Sequence, residues 1–114
     1  KKLSILDLDR NQINNIAGPF DEDSELNLTC RSEGGNPLPK LKWWHSGKLL
    51  SDRCTNPSRG IVENVITFDR IQRDHLMMSL TCESSNTNLT VPISKTILID
   101  LNRKLKFRFF YDLI

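Results

Sequence analysis

The chain has 114 residues, 38% of them hydrophobic and 26% charged, with a formal net charge of +2. That length holds one domain with one core. So slight a positive excess, with 7% aromatic residues, argues against a nucleic-acid partner, which needs a concentrated basic face or a stacking platform.

Leu3, Ile5, Leu6 and Leu8 predict an edge strand that ends at Asp9-Arg10-Asn11. Ile13 and Ile16 lead to Gly18-Pro19, a break placed to switch the chain between sheets. Leu26, Leu28 and Cys30 alternate with Glu25, Asn27 and Thr29, so period two turns the first set inward and the second toward solvent. Gly34-Gly35-Asn36-Pro37 reads as a turn, closed by Pro39. Leu41 and Trp43 then point inward, and Lys40, Lys42 and Trp44 outward. Ser46-Gly47 marks another turn before Lys48-Leu49-Leu50, and residues 51–60, rich in Pro, Gly, Asn and charge, read as a loop. Ile66 and Phe68 continue the inward set, with Ile71 plugging the turn beneath. Leu80, Cys82 and Ser84 form the next inward row, Asn86-Thr87-Asn88 turns the chain, and Ile97, Ile99 and Leu101 complete the last strand.

Short strands between turn signals, with no sustained helical period, predict an all-β protein. Cys30, Trp43 and Cys82 have the spacing of an immunoglobulin-like β-sandwich, in which a disulfide staples two antiparallel sheets and the tryptophan packs against it. Residues 1–102 are assigned to that domain and 103–114 to a tail outside it. Such domains commonly carry a tyrosine two residues before the second cysteine; here that position is Leu80, so Ile71, Leu76 and Leu80 are expected to hold the corner apolarly. A disulfide implies an oxidising compartment. Two N-glycosylation acceptors, Asn27-Leu28-Thr29 and Asn88-Leu89-Thr90, point the same way, while Pro57 excludes Asn56-Pro57-Ser58. The chain opens on Lys1 without an apolar leader and is read as a piece of a longer protein.

Cys54 is the third of three cysteines and has no evident partner. Its readings are an intermolecular bridge, a pair outside this stretch, or a buried small hydrophobe. It lies between His45 and His75, but zinc wants three or four ligands at a recognisable spacing, and no metal or cofactor is expected. Asp74-His75 with nearby serines lacks the nucleophile elbow and oxyanion hole of a triad, so no catalytic residue and no enzyme is expected. Trp44 is the leading contact candidate, because an exposed tryptophan is favoured at binding hot spots. The bland alternative is that it merely covers its sheet. Lys40, Lys42, Lys48 and Arg53 either attract an acidic partner or form a solvated face that blocks edge pairing. Residues 103–108 and the phenylalanines after them alternate basic with apolar, as an added strand or a juxtamembrane segment does; the extracellular setting argues against the second, and the default reading is a disordered or artefactual tail, or a linker. Phe107 to Ile114 is far short of the roughly 20 apolar residues that span a bilayer.

Several stretches together resemble the Sidestep family of insect cell-surface immunoglobulin-superfamily receptors. They are Gly18-Pro19-Phe20-Asp21-Glu22, the run Leu26 to Cys30, Gly34-Gly35-Asn36-Pro37, Leu41-Lys42-Trp43-Trp44, the run Leu80 to Thr90, and Ile99-Asp100-Leu101-Asn102. The double tryptophan and Ser85-Asn86-Thr87-Asn88-Leu89-Thr90 are the more specific of these. The resemblance implies an interior domain of a membrane-anchored receptor on the extracellular side of the plasma membrane. It also implies adhesion or axon guidance through binding of Beaten path proteins, another immunoglobulin family. The competing readings are a structural spacer domain and a domain of a soluble immune-recognition protein.

Overall fold

Ten strands form two five-stranded sheets across the described residues, 2–86 and 91–102 of a computed structural model. The sheets draw on β1 (Lys2–Leu6), β2 (Gln12–Ile13), β3 (Ile16–Phe20), β4 (Leu26–Glu33) and β5 (Lys40–His45). They are completed by β6 (Lys48–Ser51), β7 (Thr55–Ser58), β8 (Ile61–Phe68), β9 (Ser79–Ser85) and β10 (Ile93–Leu101). One sheet runs β2-β1-β4-β8-β7 and the other β3-β10-β9-β5-β6. This is the immunoglobulin-like sandwich, with one departure from two antiparallel sheets: β3 pairs with β10 in parallel. The Asn88 acceptor and the 103–114 tail lie outside the described residues.

The core follows from alternation. Leu26, Leu28 and Cys30 of β4 face Leu41 and Trp43 of β5, Leu80 and Cys82 of β9, and Ile97 and Ile99 of β10, all buried in one cluster. Cys30 and Cys82 are joined, stapling β4 to β9, and Trp43 sits directly opposite Cys82 on the β5–β9 ladder. At the corner between β8 and β9, Ile71 is fully buried and its backbone pairs with Asp23 and Ser24 at 2.7 and 2.9 Å. Leu80 is buried beside it and Leu76 half-buried, and the His75 ring meets Phe68 edge-on at 5.4 Å. Apolar packing and two backbone bonds hold the corner where a tyrosine stands in other such domains.

Asn64 is a polar residue at the centre of this core. Its Nδ2 donates to Leu41 O at 2.8 Å and Ser51 O at 3.1 Å, its Oδ1 accepts from Ser51 Oγ at 2.9 Å, and its carbonyl accepts from Trp43 Nε1 at 2.8 Å. The side chain therefore ties β8 of one sheet to β5 and β6 of the other. Asn64→Leu, of similar size, removes three buried hydrogen bonds, taking the amide donor from the Leu41 and Ser51 carbonyls and the acceptor from the Ser51 hydroxyl. We expect it to lower stability by about 2 kcal/mol, read as a shifted denaturant midpoint at unchanged slope. An unmoved midpoint would show that the amide is dispensable.

The structure corrects several expectations. Leu8 is 73% exposed because β1 ends at Leu6, and Asp7 then closes a turn by accepting from Asn11 N and Arg10 N. The change of sheet occurs before Gly18-Pro19, at Asn15, whose carbonyl already accepts from Leu98 N on β10. Gly18 lies inside β3 instead, at φ 116°, where a Cβ would press on the Asp100 carbonyl. Glycine lets the two strands approach. Residues 51–60 contain β7, wholly exposed and at the sheet edge, which is where a strand tolerates Pro57. Thr29, expected toward solvent, is only 8% exposed and lies between Leu6 of β1 and Val65 of β8.

Candidate functional site

The outer face of the second sheet is built around the β5–β6 hairpin. Ser46 and Gly47 both have positive φ, 47° and 78°, the tight-turn geometry whose twist matches the flanking strands. The hairpin sets Trp44 opposite Leu49, with a register shift between Trp43 and Trp44. On its other side Trp44 lies opposite Thr81 of β9, and Thr81 opposite Thr96 of β10, their hydroxyl oxygens 2.7 Å apart. Trp44 is half-buried, not fully exposed, and its Nε1 donates to Glu83 Oε1 at 3.3 Å. Its indole edge is thus fixed while part of the ring remains open to solvent.

Lys42 lies opposite Glu83 and Lys40 opposite Ser85, on the same face as Trp44. Among the described residues no carboxylate pairs with either ammonium. Lys48 and Arg53 are not part of this group. Lys48 pairs with His45 at the hairpin end, and Arg53 lies on the connection leading to the other sheet. Sequence reasoning missed Leu49, 41% exposed beside Trp44, and Glu83, the partner of its indole. Extending the Ser46-Gly47 turn into a ladder is the signal that finds Leu49.

The opposite broad face differs in character. Asn27 is half-buried on it, accepting from Thr67 Oγ1 at 2.6 Å and donating from Nδ2 to Glu25 Oε1 at 2.9 Å. Arg10 reaches over β1 and β4 to Glu63 of β8 at 2.7 Å, and Arg31 approaches the same carboxylate at 3.5 Å. The hydrogen bond to Glu63, then its charge, raise the Arg10 pKa above its ordinary value.

Cys54 is a free and exposed thiol, so its reading as a buried hydrophobe falls. Its Sγ accepts from Leu41 N and donates to Leu41 O, each at 3.3 Å, capping β5 where β6 has diverged. His75 Nδ1 accepts from Gln72 N at 2.8 Å within a short 3-10 turn, and the Asp74 side chain is 86% exposed 3.7 Å away. That is a capped turn without triad geometry. Among the described residues no cluster of His, Cys, Asp or Glu could hold a metal.

The sequence pattern of the CD80-like C2-set immunoglobulin domains matches residues 10–93. The chain belongs to that family. Neuroglian of Drosophila melanogaster is 40% identical to this C2-set domain over 45 residues, which is 40% of the chain and 3% of that protein. In three dimensions the domain resembles the full ectodomain (Ig1–Ig3) of mouse nectin-like molecule 4, with a TM-score of 0.65 at 18% identity over 87% of this chain and 33% of that one. Rst D1-D2 is similar with the same score and identity, over 87% of this chain and 48% of that one. At such identities these structures establish the fold. Among the described residues no helix is long and apolar enough to cross a membrane.

Proposed function

We propose that this C2-set domain serves in the extracellular part of a cell-surface adhesion or guidance receptor and binds a protein partner. Residues 1–102 make up the domain, 103–114 lie outside it, and the parent is membrane-anchored. The observation that carries the reading is Trp44, an aromatic side chain partly open on a sheet face, with Leu49 beside it and, nearby, Lys40 and Lys42, which pair with no carboxylate among the described residues. Anchors of that type dominate protein interfaces. The Sidestep-like sequence features name the partner class as Beaten path-type immunoglobulin ectodomains. N-glycans on Asn27 and Asn88 narrow which faces stay free.

A spacer role draws on one observation: the Trp44 indole N–H is already satisfied by Glu83. The deciding experiment measures binding of the secreted ectodomain, with and without this domain, to Beaten path ectodomains and to itself. Trp44→Ala, with folding confirmed, is expected to weaken binding by about 30-fold or more. Undiminished binding without the domain makes it a spacer, and no binding to the panel withdraws the partner class.

A further inference from the structure

We propose that Asn27 accepts its glycan only before β4 is paired, in competition with closure of the Cys30–Cys82 disulfide. The acceptor is Asn27-Leu28-Thr29, and Cys30 follows it directly. Transfer needs the Asn27 amide and the Thr29 hydroxyl presented together on one accessible stretch of chain. The folded domain withdraws both. Thr29 is 8% exposed and pairs with Leu6 on one side and Val65 on the other, while Leu28 is fully buried. Asn27 pairs with Thr67, whose hydroxyl holds Oδ1 as Glu25 holds Nδ2. Presenting the acceptor therefore requires β4 to leave both neighbours and Leu28 to leave the core. The disulfide at the next residue ties that segment to β9.

The chemistry is a substitution at the anomeric carbon of an oligosaccharide carried as a lipid diphosphate. Asn27 Nδ2 forms the new C–N bond, the C–O bond to the diphosphate breaks, and the diphosphate leaves with that electron pair. The amide gives up one proton to the surrounding base. One N–H remains on Nδ2, and Oδ1 keeps its lone pairs for Thr67 once β4 has paired. Occupancy is then fixed at folding, and a glycan acquired earlier stands on the face opposite Trp44. The inference takes its secretory setting from the proposed function, but its test does not depend on a partner.

The test uses the full chain carrying Asn88→Gln, prepared without glycan, with purified oligosaccharyltransferase and a lipid-linked oligosaccharide. One sample is folded and oxidised. The other carries Trp43→Ala as well and is reduced and alkylated, so that it stays open. Mass spectrometry should show glycan on the open chain and at least about tenfold less on the folded one, because only rare opening exposes the site. In secretory cells, Cys30→Ser with Cys82→Ser should raise Asn27 occupancy, and Thr29→Ala should abolish it. Equal transfer to folded and open chains, or none to the open chain, overturns the proposal.

Discussion

Trp43→Ala is expected to lower stability by about 3–5 kcal/mol, the range for removing a large aromatic side chain from a core. A domain of this size has about 5–15 kcal/mol in total, so the variant should melt far below the parent or lack a cooperative transition. Two losses combine. The indole is fully buried in the cluster with the disulfide, and its N–H is the donor to the Asn64 carbonyl at 2.8 Å. Trp43→Phe separates them: it keeps an aromatic ring but strips the carbonyl of its donor, at about 1–3 kcal/mol. Trp44→Ala is the control. That side chain lies on the outer face and is half-buried, so its removal should cost no more than about 1 kcal/mol in the same melt. Equal losses at Trp43 and Trp44 would refute the facing assigned to β5.

Most of the sandwich is legible from alternation because one face of each core strand is buried, and a slip of one residue would expose the whole apolar set. Leu26-Leu28-Cys30, Leu41-Trp43, Leu80-Cys82 and Ile97-Ile99 all fall inward on that ground. Asn64 escaped it because the pair Glu63-Asn64 reads as polar and outward. Carrying the phase of Ile66 and Phe68 back two residues places it inward, where four hydrogen bonds offset its burial. β7 was illegible for the opposite reason. An edge strand with every residue exposed has no alternation, and Pro57 imitates a loop.

The face of Trp44 was readable, but its degree of burial was not. Cover comes from long-range partners: Glu83 lies on β9, and Leu49 is brought opposite by the hairpin register. Thr29 shows the same limit. Alternation puts it outside, yet it lies between Leu6 and Val65 on the flanking strands and keeps only 8% of its surface exposed. Period two predicts which side of a sheet a residue occupies. It carries no information about what crosses over that side.

Removing the disulfide as Cys30→Ala with Cys82→Ala is expected to cost about 4 kcal/mol in the chain-entropy account, since the closed loop spans 52 residues. The sulfurs sit in the same fully buried cluster as Trp43, so lost packing adds to that figure. A denaturant melt of the double variant should show a much lower midpoint. Cys54→Ser is the matched control, because that thiol is exposed and, among the described residues, bonds only the backbone of Leu41, so its stability should change by no more than about 1 kcal/mol. The consequence reaches the proposed recognition face. Cys82 lies on β9 directly opposite Trp43, and the next pair along the ladder is Trp44 with Thr81. Reductant should therefore abolish partner binding together with the folding transition, at one common midpoint. Binding that disappears while the fold persists would overturn that coupling between the staple and the recognition face.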